Sequence, residues 1–90
     1  GFVGIAPNPF NPQTTIEFAL TRPNLVQLNV YNLRGELVRT LVNNRLESGA
    51  YPVVWDGADN GGKHVASGTY FARLRIGKDV MQVRKMSLVK

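Results

Sequence analysis

Ninety residues are enough for one hydrophobic core and too few for two, and the lack of cysteine removes disulfides, thiolate nucleophiles and cysteine zinc sites. An apolar fraction of 43% beside 19% charged residues argues against disorder, and no apolar run is long enough to span a bilayer. The formal charge of +5 sits at one end: Arg22, Arg34, Arg39, Arg45 and Lys63 balance Glu17, Glu36, Glu47, Asp56 and Asp59, whereas residues 71–90 set Arg73, Arg75, Lys78, Arg84, Lys85 and Lys90 against Asp79 alone. Charge alone favours a soluble edge that discourages strand pairing, with a partner surface as the alternative.

The chain starts on Gly1 and runs straight into a strand-like FVGI, as expected of a module cut from a longer protein. Pro7, Pro9 and Pro12 follow, each without an amide proton and with fixed φ, so no helix or central strand passes through them. Residues 1–12 therefore read as a proline-rich entry segment, an extended connector or an edge, and 13–90 as the sandwich. Thr14–Leu20 alternates, with Ile16, Phe18 and Leu20 on one face, and after a turn at Pro23 the same period returns in Val26, Leu28 and Val30. Asn32-Leu33-Arg34-Gly35 has the chemistry of a tight hairpin connection. The return segment, Glu36–Val42, pairs its apolar residues as Leu37-Val38 and Leu41-Val42, which fits a bulged strand, a strand covered on both faces, or one helical turn; strand is the preferred reading.

Tyr51, Val53 and Trp55 form the next strand, with Pro52 on the opposite parity suggesting an edge. A loop rich in turn-formers, Asp56–Ser67, separates it from the most regular alternation in the chain, Tyr70, Ala72, Leu74 and Ile76. Gly77-Lys78-Asp79 connects to a last strand, Val80–Val89. About seven short strands with no helical period predict an all-β, antiparallel immunoglobulin-like or fibronectin-III-like sandwich.

Catalytic chemistry finds no foothold. Asp56, Asp59 and Asn60 before Gly61 approach a calcium loop, but Ala58 and Ser67 stand where oxygen ligands belong, so both aspartates are expected to accept backbone amides in successive turns. His64 is the sole histidine and reads as a solvated loop residue, no carboxylate pair is placed for acid–base work, and no serine sits on a nucleophile elbow. The expectation is a non-enzyme with no cofactor and no metal. Nucleic-acid binding is disfavoured because only Phe71 points outward with Arg73 and Arg75. Trp55 is placed in the core, which leaves carbohydrate binding a lesser alternative.

Taken in order, NPFNPQTTIEFAL, VYNLRGELVRTLV, WDGADNGGKHVASGTYFARL and KMSLVK resemble the type A C-terminal sorting domains of type IX secretion cargo and the closely similar immunoglobulin-like domain of the flagellar hook-capping protein. By position, Asn8-Pro9 matches the opening motif, Gly35 and Val38 a GxxV hairpin, Gly68 and Tyr70 an SGxY strand, and Gly77, Lys85 and Lys90 the terminal signal. Trp55, Asp56, Gly57 and Asp59 carry the WDGxDxxG loop shared with the hook-cap domain. The resemblance implies a secretion and surface-attachment module of a larger exported protein. Its partners would be an outer-membrane translocon, a sortase-like peptidase and the upstream domains of its parent, at the cell surface or outside the cell. Gly77, Arg84, Lys85 and Lys90 become the candidates for partner recognition. A passive structural spacer is the competing expectation.

Overall fold

The computed structural model describes all 90 residues, which form seven strands and no helix: β1 (Phe2–Ala6), β2 (Thr14–Leu20), β3 (Asn24–Asn32), β4 (Leu37–Leu46), β5 (Gly49–Trp55), β6 (Gly68–Ile76) and β7 (Val80–Leu88). All strand pairs are antiparallel, in a three-stranded sheet ordered β1-β2-β5 and a four-stranded sheet ordered β4-β3-β6-β7. The immunoglobulin-like sandwich expected from the alternation is thus present. Its fourth strand pairs with β3 rather than β5, unlike the 4+3 arrangement of constant-type immunoglobulin domains.

Period-two alternation decides which side chains meet between the sheets. Ile16, Phe18 and Leu20 from β2 face Val26, Leu28 and Val30 from β3, Ala72 and Leu74 from β6, and Met86 and Leu88 from β7, all buried. Trp55 fills one end of this core. Its ring lies 5.5 Å from Phe10 and 5.3 Å, edge-on, from Tyr70, and its Nε1–H donates to the Ala58 carbonyl at 2.9 Å, so the buried indole leaves no orphan donor. Removing such a residue from a packed core costs about 3–5 kcal/mol. The Tyr70 hydroxyl donates to the Ala66 carbonyl at 2.6 Å, the tyrosine corner of immunoglobulin-like sandwiches, and burial raises its pKa above the ordinary 10.0.

The segment before residue 13 is more than a lead-in. Phe2–Ala6 is an edge strand and Phe10, amid the prolines, is a core residue at 2% exposure. Its neighbours Pro7, Pro9 and Pro12 all follow cis peptide bonds.

The uncertain segment after Gly35 is a strand carrying two bulges. Register with β3 jumps from Leu28↔Val42 to Asn29↔Thr40 and again from Val30↔Arg39 to Tyr31↔Leu37, so Leu41 and Val38 are the extra residues. The strand also runs on to Leu46 through polar residues, because Asn24–Gln27 of β3 stay paired with it. Asn32 secures the hairpin: its Oδ1 accepts the amides of Arg34 and Glu36 at 3.0 Å, while Gly35 takes φ +81°, a left-handed conformation suited to glycine.

Candidate recognition surface

Two sequence motifs turn out to cover edges of the four-stranded sheet. In the Asp56–Ser67 loop, Asp59 Oδ1 accepts the amides of Gly61 and Lys63, and Asp56 Oδ1 accepts that of Ala58, each at 3.0 Å, as the turn chemistry predicted. So ordered, the loop presents Asn60 to the bulged edge of β4. The Asn60 amide donates to the Val38 carbonyl at 3.0 Å and its Oδ1 accepts the Thr40 amide at 2.9 Å. Arg39 reaches the same loop, 3.2 Å from both Asp56 Oδ1 and the Ala58 carbonyl; this is the one ion pair of the molecule. Gly57, at φ +79°, lets the Pro12 carbonyl approach to 2.9 Å of where a Cβ would stand. His64 is exposed.

The opposite edge of this sheet is β7, and Asn8 covers part of it. Its Nδ2 donates to the Lys85 carbonyl and its Oδ1 accepts the Ser87 amide, both at 3.0 Å. The Phe10 amide then donates to the Ser87 carbonyl and its carbonyl accepts from Val89, each at 2.9 Å, forming a parallel bridge to Leu88. Asn8 acts here as one more residue of backbone, which is why an asparagine precedes Pro9.

Among the recognition candidates, Gly77 lies in the β6–β7 turn at φ +57°, with the Asn24 side chain 2.9 Å from the position a Cβ would take, so it has a steric reason of its own. Arg84 points to the inner side of β7, where its guanidinium sits 5.6 Å from the Phe2 ring, and Gln82 beside it accepts the Phe2 amide at 2.8 Å. Lys85 is exposed on the outer side. Lys90 is exposed at the far end, its amide donating to Ser67 Oγ at 3.1 Å. The four share one hairpin but do not converge on a point, and the last strand contributes Met86 and Leu88 to the core.

What does converge is the outer face of β6 and β7. The register lays Lys85 beside Phe71, Val83 beside Arg73 and Met81 beside Arg75; Val83 and Met81 are about half exposed, at 51% and 56%. Arg73 stacks 4.7 Å from the Tyr31 ring on β3, and Arg75 Nη1 lies 3.9 Å from Met81 Sδ. In register with Arg73, Asn29 keeps a buried Oδ1 without a hydrogen-bond partner, although its Nδ2 donates to the Tyr31 hydroxyl at 3.4 Å. No carboxylate pairs with Arg73, Arg75 or Lys85. Sequence reading put Arg73 and Arg75 on the outer face; it missed Tyr31, Asn29 and Gln82, whose parity on β3 and β7 was legible but whose cross-strand partners were not.

Residues 9–75 match the family described as the FlgD Ig-like domain. The chain belongs to that family. The FlgD Ig-like match ends at Arg75, so β7 lies outside it. The fold of this FlgD Ig-like domain is similar to part of dimeric latent PorU from Porphyromonas gingivalis, at TM-score 0.78 and 21% identity over 98% of this chain and 9% of PorU. It is likewise similar to part of PorZ, described as an essential bacterial surface component of the type IX secretion system of the same organism, at TM-score 0.67 and 21% identity over 100% of this chain and 12% of PorZ. The chain thus spans about a tenth of either protein. No curated protein matches it.

Proposed function

We propose that this domain is a non-catalytic secretion and surface-attachment module of a larger exported protein, recognised by an outer-membrane type IX translocon and then by a sortase-like peptidase. The observation that carries the reading is the β6–β7 hairpin: Arg73, Arg75 and Lys85 share one solvent face, free of acidic partners, on an otherwise charge-balanced sandwich. Folding has no use for that concentration of like charge, whereas a complementary receptor is steered and oriented by it. The likeness to PorZ supports placing the domain at the bacterial surface.

The second reading, a structural spacer, is favoured by a different observation. Within the matched residues 9–75 the Asp56–Ser67 loop covers a sheet edge and Trp55 and Tyr70 fill the core, and Asn8 just before them covers another edge, so these motif residues are spent on the fold. A spacer tolerates reversal of the surface charge; a sorting module does not.

The test fuses residues 1–90 to a periplasm-targeted reporter in a host with the pathway and scores its arrival at the surface. Deleting Lys85–Lys90 is unsuitable, since it removes Met86 and Leu88 from the core. Arg73→Glu, Arg75→Glu and Lys85→Glu together leave the core intact and are expected to strand the reporter in the periplasm. Surface delivery by that variant, or periplasmic retention of the unaltered fusion, refutes the sorting role.

A further inference from the structure

Bonding along β7 alternates with residue parity. Even-numbered residues face their β6 partners in an unbroken register from Val80 to Leu88. Odd-numbered ones turn their amides and carbonyls outward, as the bonds of Lys85, Ser87 and Val89 to Asn8 and Phe10 demonstrate. The cover supplied by Asn8 and Phe10 stops there. The amide and carbonyl groups of Met81 and Val83, and the amide of Lys85, therefore line a stretch of edge about 13–14 Å long with nothing paired to it.

Sandwiches ordinarily protect such edges, and this one does so at β4 with Asn60, at β5 with Pro52 and at the far half of β7 with Asn8. The uncovered half is free of proline and bulge and flanked by exposed Val80, Met81 and Val83. Arg84 lies on its inner side and Lys85 on its outer side, with Arg73 and Arg75 one strand away and Asp79 the sole acid of the hairpin.

We infer that β7 from Val80 to Lys85 is a docking edge for an extended acidic segment of the receptor, which adds to the four-stranded sheet as a fifth strand. Alternate side chains of the incoming strand lie against Met81 and Val83 on the outer face, where apolar or β-branched residues fit, and the intervening ones meet Arg84, where carboxylates fit. This inference rests on the sorting reading and names the chemistry of its partner.

The test is amide hydrogen exchange and chemical-shift titration of the isotope-labelled 90-residue domain with the acetylated, amidated peptide TEVEVET at low salt. Saturating peptide is expected to slow exchange of the Met81, Val83 and Lys85 amides at least tenfold. A version of the peptide N-methylated on the amides that would face β7 is expected to give no slowing. Val83→Pro removes an amide that no ladder bond uses, so the sandwich keeps its pairing while affinity falls tenfold or more. Three results overturn the inference: no binding at low salt, binding without slowed exchange at those amides, or binding unaffected by N-methylation. The exchange measurement on the unaltered domain decides even if Val83→Pro does not fold. Export is read separately. Surface delivery of a folded Val83→Pro fusion at the unaltered rate sinks the docking edge and spares the sorting role, while retention of the unaltered fusion sinks the sorting role whatever the peptide does.

Discussion

Replacing Asn8 by alanine isolates the covering of β7 from everything else in the fold. The side chain is solvent-exposed and makes two hydrogen bonds of 3.0 Å to the β7 backbone, one as donor to Lys85 and one as acceptor from Ser87. An intramolecular hydrogen bond contributes a net of about 0.5–1.5 kcal/mol, and water can replace both partners here, so Asn8→Ala is expected to cost about 1–2 kcal/mol. For a domain of this size that is a fall in Tm of roughly 5–15 °C, because each kcal/mol shifts the midpoint by about 4–8 °C. Denaturant melts at fixed pH measure the loss, and hydrogen exchange locates it: the Ser87 amide should speed up while those of Leu28 and Leu74, deep in the sheet, follow global stability alone. Asn8→Asp separates the two bonds, since the carboxylate still accepts from Ser87 but sets negative charge against the Lys85 carbonyl. An Asn8→Ala domain with unchanged Tm and unchanged Ser87 exchange refutes the idea that this asparagine holds the edge.

Gly57→Ala should be costly although the added methyl is small. It stands at φ +79° and its Cβ would lie 2.9 Å from the Pro12 carbonyl, so a loss of about 1–3 kcal/mol in a denaturant melt is expected, and a neutral effect would contradict the close approach. Stability should also decline at high pH through Tyr70. Its folded pKa is raised by burial above the unfolded value near 10.0, so the stabilisation is fully present below that value and is lost as pH climbs through the folded one. Ultraviolet titration should find one tyrosine ionising last, and Tyr70→Phe should remove that late step while costing about 0.5–1.5 kcal/mol through the bond to Ala66.

Strict alternation made β2, β3 and β6 readable from sequence, because each has one face on the core and the other in water. β4 blurred the signal for a physical reason: its two bulges insert Val38 and Leu41 out of step, so apolar residues appear side by side. Phe10 was hidden by its setting, since three prolines announce an extended connector or edge and give no hint that the residue between them turns inward against Trp55. The basic end was plain as a count of charges but not as a surface. Parity separates Arg84 from Lys85, and the position of β1 opposite β7, which gives Arg84 the Phe2 ring to lie over, is a long-range fact that no local pattern encodes. Nor could spacing reveal that the asparagines of both recognisable motifs serve as substitute backbone.

The parallel bridge between Phe10 and Leu88 has a mechanical consequence. Residue 1 emerges beside Gln82 and residue 90 beside Ser67, at opposite ends of β7. Tension applied between the two ends of the domain therefore drags the Asn8–Phe10 segment and the last strand past each other along their common axis. Their hydrogen bonds are strained together instead of opening one after another, so the junction resists as a clasp under shear. A tethered passenger would pull against the same residues that close half of the β7 edge.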